Sequence, residues 1–457
     1  MLVFRLFLSL CIVGLLFASP SFGKDSEAPE KQLSLANCIE IALKNASSAK
    51  KAENNFKLQG ADVLRSYGSF LPRISASAGY SPYTLSRTYS AVNNPVSDIN
   101  KTTLRTVDLT LSTSLNLFNG FSDYASLQSS LSKEHAAEYN LGRALQSIVY
   151  DVTQSYFQVL LDRELYEISR ENLLLAQDQL TLTERQFNVG LKSMTDRFQQ
   201  QADTEQSRLS VIKAETRMNR SLLELIRRLR IDPQTKITII PDPDELKVPV
   251  VAKPDIDSLL TVALQQRLDL KSKSLETNAA QWQIRSARAA WYPSIDLNFS
   301  LSSGGLEYLN HEYLYPPLSE QLRNTVGYSA GINLSWTIFD RFQTRYSVSA
   351  AKINHLNQQL DYEDLKNNIA IDLRQAAGEY ASAFDQIATA TVSFTAARSA
   401  FDAVKRKYEL GAASFVELSA ARATLFNAHS NLSQATYNLA LQKNILDFTT
   451  GKIATQP

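Results

Sequence analysis

Two carboxylates occupy matched settings in this chain. Asp196 falls three residues after a serine in Arg185-x-Phe187-x-Val189-Gly190-x-x-Ser193-x-x-Asp196, and Glu417 does the same in Arg406-x-Tyr408-x-Leu410-Gly411-x-x-Ser414-x-x-Glu417. A serine with an acid three positions on is a helix-start signal. The hydroxyl accepts from the N–H of the acid's residue, and the carboxylate can reach back to the serine N–H. Gly190 and Gly411, three residues before each serine, supply the left-handed backbone that ends a preceding helix. Each motif therefore reads as a tight reversal between two helices, carrying one acid. Such an acid can cap its helix and complement the dipole, or present negative charge to cations. The two roles are compatible.

Nothing else in the chain suggests covalent or metal chemistry. The four histidines (His135, His311, His355 and His429) are scattered and form no HExxH or other metal spacing. After the first residue the only methionines are Met194 and Met218, too few for a soft-metal relay, and no glycine-rich phosphate loop is present. The expectation is a protein that is not an enzyme and needs no cofactor or metal, with any energy source belonging to a partner.

The two acids are 221 residues apart, and that interval recurs. Phe70-Leu71-Pro72-Arg73-Ile74 returns as Trp291-Tyr292-Pro293-Ser294-Ile295, and Leu117-Phe118-Asn119 returns as Ile338-Phe339-Asp340, at the same offset of 221. This is far longer than a solenoid unit. It marks a duplicated half-molecule, with residues 24–230 as the first copy and 256–457 as the second. Residues 231–255, rich in proline around Lys236-Ile237-Thr238-Ile239-Ile240, read as a connector with a short strand.

Residues 1–23 are of another kind. Arg5 precedes the apolar run Leu6 to Phe17, and small residues at Ser21 and Gly23 fit cleavage before Lys24, a secretory signal peptide. The chain carries 47 basic and 46 acidic residues, and loss of Arg5 with the leader makes the balance even. A neutral balance argues against nucleic acid as a partner. Cys38 is then the only cysteine, so no internal disulfide can form. No later segment approaches the ~20 apolar residues that a spanning helix needs.

Each half opens on a helical stretch (35–67 and 256–291) and continues into two alternating segments, expected as strands at about 73–84 with 105–118, and about 294–303 with 327–340. In Val107 to Leu117 the odd positions are apolar except Thr113; in Tyr328 to Ile338 the even positions are apolar. Period two divides a strand into two faces. Aromatics gather at the ends: Tyr80, Tyr83, Phe118 and Phe121 in one copy, Trp291, Tyr292, Trp336 and Phe339 in the other. Such girdles suit a lipid–water boundary better than the core of a soluble sandwich. Four strands cannot close a membrane barrel, and open edges are not tolerated in hydrocarbon. Several chains must therefore combine.

After each strand pair the chain is free of proline, between Pro95 and Pro233 and between Pro317 and Pro457. A helix from Phe121 to Asn188 would span ~100 Å, with a return helix toward Arg230. The long helical hairpins are expected over 121–230 and 342–450. Apolar residues follow sevenfold lines such as Leu145, Val152, Val159, Tyr166, Leu173, Leu180 and Phe187, matched by Leu373, Tyr380, Ile387, Phe394, Phe401 and Tyr408. Leu418, Leu425, Leu432, Leu439 and Leu446 form the line of a return helix. Sustained sevenfold repeats mean coiled-coil packing. A second line (Leu161, Ile168, Leu175, Leu182, Val189) lies on the opposite side, as in a stave of a wall. Its counterpart in the second copy is made of smaller residues, Ser382, Thr389, Ala396, Ala403 and Leu410.

Leader, strand pair and long helical hairpin, with the last two duplicated and the glycine-turn motif repeated, resemble the TolC-like outer membrane efflux proteins. These are the outer membrane factors of tripartite efflux and type I secretion systems. The resemblance covers nearly the whole mature chain. It implies a mixed α/β membrane protein and a homotrimer, in which a transmembrane β-barrel with four strands per chain continues into a long α-helical coiled-coil barrel in the periplasm. It further implies a channel conducting substrates to the exterior, with an inner-membrane transporter and a periplasmic adaptor engaging the turns at Gly190, Ser193, Gly411 and Ser414. Glu417 stands at the place of a constriction carboxylate, while Asp196 and Tyr408 match residues of the closing network. Ala420 stands where the family's best-known member has a second acid, and Ala413 where it has an arginine. Closure here is therefore expected to rest on packing and on Asp196–Tyr408 contacts. A periplasmic coiled-coil adaptor or spacer is the alternative; it explains the helices but not the aromatic-ended strand pairs.

Overall fold

The computed structural model describes residues 31–89, 99–235, 237–241, 254–310 and 315–453. The expected leader and His311 lie outside the described residues. The chain begins with β1 (Lys31–Leu33), α1 (Leu35–Asn45) and α2 (Ser47–Gly68), then the strands β2 (Arg73–Tyr89) and β3 (Ile99–Asn119). Two helices follow, α3 (Ser122–Asn188) and α4 (Met194–Leu229). After β4 (Ile237–Ile239) the pattern returns as α5 (Ile256–Gln266), α6 (Leu268–Arg288), β5 (Ser294–Tyr308), a short α7 (Leu318–Asn324), β6 (Val326–Ser335), α8 (Gln343–Glu409) and α9 (Phe415–Thr450).

Without a proline to interrupt them, α3 and α8 each run for 67 residues, and α4 and α9 for 36. Both ends of each helix recur at the 221-residue interval. The first helical stretch of each half is broken once, at Ala46 and at Arg267, both in extended conformation. Arg267 is used structurally: its guanidinium, 7 % exposed, grips Asp269 at 2.6 Å and donates to the Thr449 carbonyl at the end of α9.

Four strands form one antiparallel sheet in the order β2-β3-β5-β6. Its register sorts the two faces. Ser75, Ser112, Ser300 and Ser329 make one cross-strand row, and the adjacent row is Ala76, Leu111, Leu301 and Tyr328. Asp108, Asn116, Asp296 and Asn333 share the parity of the serine row. One face is thus hydroxyl-rich and polar, and the other carries Leu109, Leu111, Phe299, Tyr328 and Ile332, all exposed in the single chain.

Strand extents differ from those read off the alternation. β2, β3 and β5 span 17, 21 and 15 residues, because backbone pairing persists beyond the alternating segments. β6 stops at Ser335, paired with the first residue of β5, so 336–340 are not strand and Ile338 is not a ladder position. Beyond that point the indole N–H of Trp336 donates to the Trp291 carbonyl at 3.2 Å. The connection between β5 and β6 contains α7. There Gln321 takes the place of a missing strand, accepting from the Leu306 N–H at 3.0 Å and donating to its carbonyl at 2.9 Å.

Halfway along the helices, a core of Cys38, Ala42, Val152, Tyr156, Leu160, Leu225 and Leu229 closes around β1 and β4, which pair in parallel. Tyr156 and Arg163 anchor β4 through hydrogen bonds to the carbonyls of Ile240 and Ile239. Of the sevenfold lines, Val152, Val159, Leu373, Tyr380, Phe401 and Tyr408 are buried within one chain. A further line on α8, Tyr346, Ile353 and Leu360, stands 71 %, 58 % and 64 % exposed.

Candidate functional site

Both hairpin turns are built alike. Gly190 and Gly411 adopt φ of 79° and 76°. At the first turn Gly190 N–H donates to the Phe187 carbonyl at 2.9 Å and Leu191 N–H to Gln186 at 2.8 Å, the double bond pattern of a glycine-terminated helix. Gly411 and Ala412 repeat it onto Tyr408 and Lys407 at 3.0 and 2.7 Å. Ser193 and Ser414 then cap α4 and α9, accepting from the Asp196 and Glu417 N–H groups at 3.1 and 3.2 Å.

The two acids part ways at this point. Asp196 turns back on its cap, accepting from the Ser193 hydroxyl at 2.8 Å and its N–H at 3.1 Å. Those hydrogen bonds, the hydroxyl's first, with help from nearby Lys192, hold its carboxyl below the usual range. Glu417 caps through its N–H alone, and its side chain projects exposed into solvent. Of the pair, Glu417 is the one that offers a free carboxylate.

Tyr408 is 1 % exposed, at the last turn of α8 among Phe401, Val404, Ala413, Phe415 and Leu418. Its hydroxyl has no hydrogen-bond partner among the described residues. The expected Asp196–Tyr408 contact does not form among the described residues; Asp196 accepts from Ser193 through Oδ2. Lys192 joins the turns instead, its ammonium over the Tyr408 ring at 4.3 Å.

One ion pair between the hairpins escaped the sequence. Arg422, on α9, reaches across to Asp203 on α4. The signal was present: Arg422 lies four residues after Leu418 and three before Leu425, on the apolar stripe of α9, where a lone charge requires a partner. Its acid could not be named, since α4 offers several.

The remaining candidates are structural. His135 is exposed beside Glu138, His355 contacts the Thr277 carbonyl at 3.2 Å, and His429 lies against Phe394. Among the described residues no group of three metal-ligating side chains occurs, and no helix is long and apolar enough to cross a membrane. At the other end of the helices the sheet supplies a second exposed surface. Its apolar face ends in exposed Tyr80, Tyr83, Trp291, Tyr292 and Trp336, the composition of a membrane-contacting face.

The sequence model of the family described as outer membrane efflux protein matches this chain twice, over residues 38–229 and 259–452. The chain belongs to the outer membrane efflux protein family. It is 23 % identical to the outer membrane protein TolC of Vibrio cholerae over 86 % of this chain and 85 % of that one. To CyaE of Bordetella pertussis it is 24 % identical, covering 76 % of this chain and 70 % of the relative. In fold it is similar to the CmeC outer membrane channel of Campylobacter jejuni, with a TM-score of 0.78 at 20 % identity over 91 % of this chain and 85 % of that one. The CusC channel aligns with a TM-score of 0.77 at 19 % identity, covering 91 % and 92 %. As a member of this family the protein is a transport component of the outer membrane and not an enzyme, with its helical part in the periplasm. The family serves tripartite efflux and secretion.

Proposed function

We propose that three copies of this chain form a channel-tunnel: a twelve-stranded barrel in the outer membrane, continuous with a twelve-helix tunnel across the periplasm. Substrates delivered by an inner-membrane transporter and a periplasmic adaptor pass through it to the exterior, and the hairpin turns form its entrance. Asp196 and Glu417 stand at that entrance with Tyr408 buried behind them, and Gly190, Ser193, Gly411 and Ser414 shape the turns that the adaptor meets.

The observation that carries this reading is the four-stranded sheet, which has one apolar face, one hydroxyl face and two unpaired edges, β2 and β6. Backbone groups left open at such edges are intolerable in lipid. Joining β2 of one copy to β6 of the next satisfies them all. The exposed line Tyr346, Ile353 and Leu360 on α8 supports the same assembly, since a neighbouring copy would bury it. Relatives named for pyoverdine export, alkaline protease secretion and cation efflux suggest that the transporter, and not this channel, selects the cargo.

Fractionation followed by mass measurement in detergent tests the proposal. The protein is expected in outer membranes, resistant to carbonate washing and three chains in mass. A detergent-solubilised monomer, or release by salt or carbonate, would overturn it.

A further inference from the structure

The apolar face of the sheet changes chemistry at one level. On β3 that face runs apolar from Leu115 to Val107, broken only by Thr113, and the next residues of the same parity include Arg105 and, four positions on, Lys101. Leu115 and Arg105 are ten residues apart, ~33 Å along a strand and ~25 Å of height at a tilt of about 40°. That is the height of the lipid-facing band of a membrane barrel. Arg105 thus stands where hydrocarbon gives way to headgroups, and Lys101 ~10 Å higher. On β5 the same boundary is marked by α7, which lies on this face with Leu318 against Gly305 and its Leu322 carbonyl accepting from the Ser303 hydroxyl.

Above the boundary the charges do not balance. Arg105 is neutralised by Glu307 on β5 at 2.8 Å, and the exposed Glu320 and Arg323 of α7 are of opposite sign. Arg87 on β2, however, is directly opposite Lys101. A register shift between Ser81 and Thr84 creates this pairing; in the register below the shift, Arg87 would pair with Asn100 and sit on the lumenal face. Both side chains are exposed, and neither has an ion-pair partner among the described residues. Opposed residues on one face have their Cβ atoms ~5 Å apart, and like charges there are destabilising. An anion held between them turns that repulsion into a two-point grip.

We propose that Arg87 and Lys101 bind the phosphorylated headgroup of an outer-leaflet lipid, whose acyl chains lie on the apolar face beneath them. The headgroup layer is ~5–8 Å deep, and long basic side chains reach down into it from above. The occupant is a lipid and not a free anion because the pair stands directly over the band that ends in Leu109 and Val107. An amphiphile matches both the charge and the apolar surface below it; a free phosphate matches the charge alone. In a closed trimer three such sites would ring the barrel and hold it at a fixed height in the membrane.

The inference rests on the barrel reading, and its test keeps the two apart. Full-length wild type, the double variant Arg87→Gln with Lys101→Gln, and Arg87→Glu are purified in a non-ionic detergent. Each is titrated with lipid A bearing two phosphates, with the same lipid stripped of phosphate, and with inorganic phosphate. Native mass spectrometry reads binding and thermal melts read stability. The double variant is expected to hold the bisphosphorylated lipid about 30-fold more weakly than wild type, about fivefold for each charge. Arg87→Glu should melt above wild type in detergent alone, since it replaces two like charges by an ion pair, and below it once the phosphorylated lipid is added. Equal binding by wild type and the double variant overturns the site, as does an Arg87→Glu protein that keeps its lead in the lipid. Equal binding of the stripped lipid, or displacement by millimolar inorganic phosphate, overturns the lipid as occupant. Failure of wild type to insert into vesicles would count against the barrel reading, while the titrations in detergent still judge the pair.

Discussion

The ammonium of Lys192 lies 4.3 Å from the centre of the Tyr408 ring, so the turn of the first hairpin rests on the last turn of α8. A cation over an aromatic face at a partly exposed site contributes about 0.5–1 kcal/mol. Beneath the ammonium the ring is buried, and its hydroxyl has no partner among the described residues. Lys192→Ala is expected to lower stability by about 0.5–1 kcal/mol. Tyr408→Phe should be neutral or stabilising, because it removes a buried hydroxyl without a partner among the described residues. Thermal melts of the two variants read both values. A loss near 1 kcal/mol in Tyr408→Phe would reveal that the hydroxyl is bonded across subunits in the assembled protein.

The two turn acids should separate in function. Glu417→Gln is expected to weaken cation preference in single-channel recordings, with assembly intact. Asp196→Asn should act mainly on stability, because its carboxylate already serves the Ser193 cap. The pH dependence has a definite sign. Hydrogen bonding depresses the Asp196 carboxyl, so its contribution is complete above the ordinary carboxylate range and is lost as pH falls through the depressed value. The melting difference between wild type and Asp196→Asn should therefore shrink on acidification. Equal effects of both substitutions on selectivity would show that the cap leaves Asp196 free to meet passing ions.

On the sheet, neighbouring residues should respond in opposite ways. Leu111 belongs to the row with Ala76, Leu301 and Tyr328, and Ser112 to the row with Ser75, Ser300 and Ser329. An arginine introduced as Leu111→Arg should cost about 2–4 kcal/mol if that face meets lipid at mid-depth. Ser112→Arg should assemble normally. Yields of membrane-inserted, heat-resistant oligomer would compare the two, and equal yields would rule out lipid on the apolar face.

Asp447, near the end of α9, is held above the usual carboxylate range by burial, against the pull of Lys443 and Lys452. A raised acid penalises the fold while it is charged, and the penalty lifts as pH drops through the raised value. Asp447→Asn is expected to raise the melting temperature at neutral pH, with the gain vanishing in acid. A gain that persists at low pH would mean that the amide stabilises by a new hydrogen bond rather than by losing charge.

The parts of this architecture that were legible in the sequence are those set by local rules. Absence of proline gives the long helices, period two gives the sheet faces, and glycine followed by serine gives the turns. What stayed hidden depends on distant partners. The pairing of β1 with β4 joins residues 31–33 to 237–239, and three-residue strands carry no periodic signal. α7 is held by Gln321 against β5, a tertiary contact in a segment whose composition reads as loop. Arg422 was conspicuous as a charge on an apolar stripe, but only the helix packing could supply Asp203.

The corners where strand becomes helix have a mechanical consequence. Gly120 and Phe121 adopt φ of 67° and 65°, and Arg341 and Phe342 of 56° and 66°, two successive left-handed residues at each corner. That region is a small island with no allowed neighbour, and a side chain at Gly120 would meet the Ala289 carbonyl at 2.5 Å. Each corner is therefore a stiff joint at the root of a long lever. Along a helix of 67 residues, one degree of tilt at the root would carry the tip about 1.7 Å. Such leverage makes the root a poor place to adjust the tip, so the fine position of the entrance must be set by contacts near the turns, where the same displacement asks for the smallest force.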